Sequence, residues 1–194
     1  GVTVTYTDAK GEQSIVVDKL LVAVGRRAAT RGLLADGTGV QLDERGRVVV
    51  DEHCWTGVEG VWAAGDCVRG PMLAHKGSEE GIAVAEIIAG KPGHVNLDTV
   101  PWVIYTEPEV AWVGVTEDHA KREGRTVEVA KFPWAASGRA IANGADYGFT
   151  KLVFDPQTHR VIGGTIVGPA AGDMIGEVAL AIEMGCDAVD IGKT

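Results

Sequence analysis

Cysteine is scarce in this chain: Cys54, Cys67 and Cys186 are the only three in 194 residues. They are too few and too scattered for a disulfide framework, and none forms a Cys-x-x-Cys pair. Thiols of this kind suit buried positions in a reducing compartment. Basic residues are also outnumbered, 18 Lys and Arg against 27 Asp and Glu, which gives a formal net charge of -9 and a pI near 5.0. A nucleic-acid surface needs clustered cations to neutralise phosphates, so that partner class is excluded. Long apolar runs are missing too. None approaches the ~18 residues of a membrane span, and the first residues lack the charged-then-apolar order of a signal peptide. A protein without membrane contact is expected. No metal set stands out, because His53–Cys54 has no further ligands at suitable spacing.

Two apparent phosphate motifs also fail. Gly192-Lys-Thr194 resembles the end of a phosphate loop, but the first glycine would fall on Asp187. Gly37-Thr-Gly39 opens like a dinucleotide fingerprint, yet position 42 is Leu42 and no strand precedes it. There is no Ser nucleophile elbow and no supported Cys/His pair. Residue chemistry alone yields no catalytic group.

What is present starts with an ordinary globular composition, 45% hydrophobic and 23% charged. The most informative stretch is Thr56-Gly-Val-Glu-Gly-Val-Trp-Ala-Ala-Gly-Asp66. Its apolar run, Val61 to Ala64, predicts a strand ending on Gly65 and Asp66. A carboxylate at the carboxyl edge of an α/β sheet stands where such folds bind ligands, and Gly65 allows a ligand close to the backbone. Asp66 is therefore a candidate for holding a hydroxyl-bearing ligand.

A helix is predicted from about Ala74 to Ala89, stopped by Gly90-Lys-Pro92. Its N-terminus follows Asp66 within ~10 residues, and its dipole favours an anionic or electron-rich ligand. Upstream, residues 2–7 alternate, Asp8 to Gly11 form a turn, and Ile15–Val17 and the wholly apolar Leu20–Val24 predict strands. Arg47–Asp51 predicts another short strand, and Gly93–Val100 a linker.

Beyond the linker, strands are expected at Val103–Tyr105, Val110–Val113, Val127–Val129, Phe149–Phe154 and Arg160–Val167. Asp155-Pro-Gln-Thr158 joins the last two as a hairpin turn, so this sheet should be antiparallel. Thr116 caps a short helix. A second helix over Gly172–Glu183 places Met174, Ile175, Val178, Ala179 and Ile182 on one apolar face, as core or interface. Gly1 opens directly on a strand and Thr194 ends on a helical approach, as in a fragment of a longer chain.

Leu21-Val-Ala-Val-Gly-Arg26, the Asp66 motif and Pro101-Trp-Val-Ile-Tyr-Thr-Glu-Pro-Glu-Val-Ala-Trp-Val-Gly114 resemble, in that order, the second half of the pyridine-nucleotide disulfide oxidoreductases. Met72-Leu-Ala-His-Lys76, Ser137-Gly-Arg-Ala-Ile-Ala142 and Val161–Ile175 are most similar to the branch that oxidises protein-bound dihydrolipoamide. The resemblance covers essentially the whole chain. It implies an α/β plus α+β fold: a partial FAD/NAD-binding, Rossmann-like region, then an α+β dimerisation domain with an antiparallel sheet. Residues 1–29 would be the tail of the NAD domain, 30–96 the later part of the FAD domain, and 97–194 a truncated interface domain.

By the same resemblance, Asp66 with Gly65 binds the ribityl chain of FAD, and Met72, Leu73, Ala74 and His75 line the flavin edge. Gly25 lies near NAD, although a plain strand-to-loop turn suits it equally. The implied partners are a second copy, as a homodimer, and the components and lipoyl domains of 2-oxo acid dehydrogenase complexes. The implied location is the cytoplasm, or the mitochondrial matrix in a eukaryote. The redox Cys pair and the His-Glu base of the family match nothing here, so these residues alone should be inactive and hold FAD poorly. Alternatives are a related flavin reductase of another disulfide or of a metal ion, or a non-catalytic dimerisation module.

Overall fold

The computed structural model describes residues 1–194. Its largest ordered unit is a five-stranded antiparallel sheet in the C-terminal half, formed by β3 (Trp102–Ile104), β4 (Glu109–Gly114), β5 (Glu128–Pro133), β6 (Phe149–Phe154) and β7 (Val161–Gly168) in the order β3-β4-β7-β6-β5. The β6–β7 hairpin forms where Asp155 predicted it. The Asp155 carboxylate accepts from the Gln157 and Thr158 N–H groups, both at 3.0 Å, so one side chain builds the turn. These bonds also hold the Asp155 pKa below the usual carboxylate range.

Helix α4 (Ala171–Glu183) lies across β4 and β7 and buries Ala171, Ile175, Val178 and Ala181. With Ala111, Val113, Phe154, Val161 and Ile166, the first three of these make the main core. Ala179 and Ile182 pack at its margin as expected, but Met174 is largely outside it. The helix has no cap of its own, since Ala170 carries no polar side chain. Glu109, at the start of β4, accepts from the Gly172 N–H at 2.9 Å instead. A strand thereby fixes the entry of the helix that covers it.

Two glycines in β7 are required by packing. A Cβ at Gly163 would overlap the Val115 carbonyl, and one at Gly168, whose φ is +152°, would enter the Trp134 ring. Trp102 on edge strand β3 and Trp112 on the adjacent β4 stack at 5.3 Å between ring centroids. Short helices α2 (Glu117–Arg122), α3 (Gly138–Ala142) and α5 (Ala188–Lys193) complete this half, and all three are capped by side chains, from Thr116, Ser137 and Asp187. The sequence predicts the first, marks only a helical approach to Thr194 where α5 forms, and gives no signal read as α3.

The N-terminal half carries less regular structure. β1 (Val2–Asp8) and β2 (Gly11–Val17) pair as a hairpin across the predicted turn. Three expected strands do not form. Leu20–Val24 joins no sheet, and Leu21 and Val24 are 88% and 94% exposed. Arg47–Asp51 is reduced to a single bridge, Leu42 to Val48, and Val61–Ala64 to one, Trp55 to Trp62. Each run has the right composition, but a strand exists only through a neighbour that shares its hydrogen bonds along its length; Leu20–Val24 has no such neighbour, and the other two runs share only isolated bridges. Helix α1 (Ala74–Ile88) forms as predicted and ends at Gly90, φ +75°.

Candidate functional site

Asp66 sits in a 3-10 turn, Gly65–Cys67, at the end of the extended Val61–Ala64 run. Gly65 makes the turn possible with φ +82°, a left-handed value that a side chain would oppose. Helix α1 comes close to this turn because Gly77 faces it: a Cβ on Gly77 would lie 3.1 Å from the Gly65 Cα. The sequence pattern placed Asp66 at a strand end. The structure keeps it at the end of an extended segment, with the sheet itself unformed.

The Asp66 carboxylate is half exposed and receives the guanidinium of Arg26 at 3.0 Å. Arg26 also donates to the main-chain carbonyl of Met72. One arginine thus joins the segment after Gly25, the Asp66 turn and the approach to α1. Gly25 itself adopts φ +144° with open space around it. Arg26, Met72 and Gly70 line a cleft of about 540 Å³ together with Arg27, Glu44, Arg45 and Arg47. No role was assigned to Arg26 in the sequence, because pairing across forty positions leaves no local signal.

Leu73 is the N-cap of α1 and offers no side-chain cap, so the N–H groups of Ala74, His75 and Lys76 open the helix without a capping side chain. Such a terminus attracts negative charge. His75 turns elsewhere: its Nε2 donates to the Pro101 carbonyl at 2.8 Å. It lines a second cleft with His94, Asn96 and Glu183 rather than the one beside Asp66.

Beneath the turn lies a buried ion pair. Lys76 Nζ stands 2.8 Å from Glu80 Oε1, with side chains 0% and 2% exposed. Glu80 Oε2 accepts from the Gly65 N–H at 2.7 Å. Cys54, also buried, has its thiol pKa pushed up, by burial first and by the Glu80 charge second. Its thiolate is disfavoured, which removes it as a nucleophile at neutral pH.

Residues 1–81 match the pyridine nucleotide-disulphide oxidoreductase family, and residues 100–194 match the dimerisation domain of the same family. The chain belongs to the pyridine nucleotide-disulphide oxidoreductases. Within this family it is 50% identical over all 194 residues to the dihydrolipoyl dehydrogenase of Cupriavidus necator, of which it covers 41%. It is 55% identical over 179 residues, 91% of the chain and 37% of the relative, to that of Vibrio parahaemolyticus serotype O3:K6. The solved structure of LpdA from Mycobacterium tuberculosis superposes with a TM-score of 0.88 at 27% identity, covering 100% of this chain and 42% of that one. The chain spans about two fifths of the length of the curated relatives it matches. The mixed fold and antiparallel interface sheet expected from the resemblance are therefore those of the family. No helix is long and apolar enough to cross a membrane.

Proposed function

We propose that the whole protein oxidises protein-bound dihydrolipoamide to lipoamide and reduces NAD+ through FAD, and that Asp66 holds the ribityl chain of that flavin. The observation that carries the reading is the joining of an exposed carboxylate, a close-approach glycine and an uncapped helix N-terminus in one place. Identity of 50% to 55% with dihydrolipoyl dehydrogenases supports the choice of substrate. The residues present fit a flavin on chemical grounds. A carboxylate accepts hydroxyl hydrogens strongly, and the first turn of α1 faces the same region with unsatisfied donors.

When bound, FAD supplies the redox chemistry between the thiols and the nicotinamide. The residues of this chain orient it. Asp66 accepts from ribityl hydroxyls, Arg26 directs the carboxylate, and the N–H groups of Ala74 and His75 favour negative charge at the pole of α1. Gly25 leaves room for NAD to approach. Residues 1–29, 30–96 and 97–194 serve as NAD-domain tail, FAD-domain part and interface domain. A second copy of the chain and lipoyl domains of 2-oxo acid dehydrogenase complexes are the partners.

The redox disulfide and the base lie in the remainder of the protein, because Cys54, Cys67 and Cys186 lack the spacing of a redox pair. The full-length protein should carry stoichiometric flavin absorbance and reduce NAD+ with dihydrolipoamide, whereas residues 1–194 alone should do neither. A full-length protein that is colourless, or that reduces another disulfide with no activity on dihydrolipoamide, would overturn the assignment.

A further inference from the structure

Lys76 and Glu80 are one helical turn apart and wholly buried, yet they do more than neutralise each other. Glu80 uses one oxygen for Lys76, at 2.8 Å, and the other for the Gly65 N–H, at 2.7 Å. Lys76 Nζ lies 3.4 Å from the carbonyl oxygen of the same Gly65. Both polar atoms of a single backbone residue are thus held by one ion pair from α1. That residue immediately precedes Asp66, and its left-handed φ of +82° sets the direction in which the next residue leaves.

The surroundings fit this purpose. Gly70 makes room for the Lys76 chain, since a Cβ there would lie 2.8 Å from Lys76 Cε. The Cys54 thiol couples electrostatically to Glu80 and Lys76, and the Arg69 guanidinium and the Asp51 carboxylate are the other charges that act on it. A buried ion pair is weak as a source of stability, because desolvation offsets the attraction and apolar residues of equal volume often do as well. Hydrogen bonds to a charged group, in contrast, are short and strongly directional.

We propose that Glu80, charge-balanced by Lys76, is a backbone clamp that positions Asp66 for the flavin, acting through the Gly65 N–H without touching the cofactor. The proposal rests on the flavin reading above. It assigns Glu80 the positioning role, with Lys76 as its counter-charge, and explains why two charges lie buried beneath a turn whose own carboxylate points outward.

Two double substitutions in the full-length protein separate positioning from plain packing. Lys76→Met/Glu80→Met removes the charges and the acceptor. Lys76→Met/Glu80→Gln removes the charges but keeps an oxygen for the Gly65 N–H. Three readouts apply: FAD dissociation constant by fluorescence titration of the apoprotein, amide exchange at Gly65, and thermal midpoint. The Met/Met protein should fold, exchange faster at Gly65 and bind FAD about tenfold or more weakly, as expected for loss of a hydrogen bond to a charged group. The Met/Gln protein should recover most of the affinity and slow exchange.

Equal affinity and equal Gly65 exchange in wild type and Met/Met would overturn the clamp, as would equal flavin loss in both double variants. If Met/Met does not fold, the Met/Gln protein decides alone: near-wild-type affinity with slow Gly65 exchange supports the clamp, and a tenfold loss refutes it. A wild-type apoprotein that takes up no FAD refutes the flavin reading and the proposal together, whereas wild-type uptake with an unchanged Met/Met variant refutes the clamp only.

Discussion

Arg26 shows how little a single contact contributes to stability and how much it can contribute to geometry. Its pair with Asp66 is open to water, with side chains 61% and 51% exposed, and exposed pairs of this kind contribute about 0–1 kcal/mol. Arg26→Ala should therefore leave the thermal midpoint of the full-length protein nearly unchanged. The same substitution frees the Asp66 carboxylate and the Met72 carbonyl from their common donor, so flavin affinity should fall while stability holds. A fluorescence titration and a melting curve on one sample would check both halves. Equal flavin affinity in the two proteins would remove Arg26 from the site. The Lys76–Glu80 pair is the opposite case. Removal of one partner strands a buried charge, which costs about 3–5 kcal/mol.

Helix termini decide much of the element-scale behaviour. Asp187 opens α5 by accepting from Val189 and Asp190 N–H at 2.7 and 3.0 Å, while Asp190 returns a carboxylate to the Asp187 N–H at 3.0 Å. These backbone bonds, that from Asp190 first, hold the Asp187 pKa below its ordinary value. A depressed folded pKa means stabilisation that is complete above the unfolded value, roughly 4, and lost as pH falls through the folded one. Amide exchange at Val189 and Asp190 should accelerate below that range in the wild type. In Asp187→Asn, whose cap does not titrate, that acid-linked change should vanish; an identical acid profile in the variant would refute the role of the carboxylate. Local signals of this type made the C-terminal half legible: Thr116 and the Asp155 turn each act over a few residues. The same logic overreached at Leu20–Val24 and Val61–Ala64, where apolar composition was read as a strand although strand formation depends on partners distant in sequence. The nearness of Asp66 to the start of α1 was legible from their order along the chain, whereas the contacts of Arg26 and Glu80 were not, because they cross 40 and 15 positions.

At the scale of the molecule, the sheet and α4 leave an apolar surface without a partner. Leu180 and Met184, 62% and 70% exposed, stand on the side of α4 away from its core contacts, in the segment that matches the family's dimerisation domain. On the homodimer proposed above, Leu180→Glu/Met184→Glu should convert the full-length protein from dimer to monomer in analytical ultracentrifugation. The melting behaviour of the monomer should be little changed, since neither residue enters the core. A variant that sediments as the wild type would place the dimer contact elsewhere. The extended Leu20–Val24 run has a different consequence. In residues 1–194 taken alone, none of its N–H or C=O groups is paired and its side chains are apolar, so this piece presents a short adhesive edge to its neighbours. What opposes self-association is the net charge of -9, a long-range repulsion that salt screens and that disappears near the pI of about 5.0. Colloidal behaviour of residues 1–194 by themselves is thus governed by acidity and ionic strength, and mildly acidic or high-salt media turn this edge from a silent feature into the site of first contact.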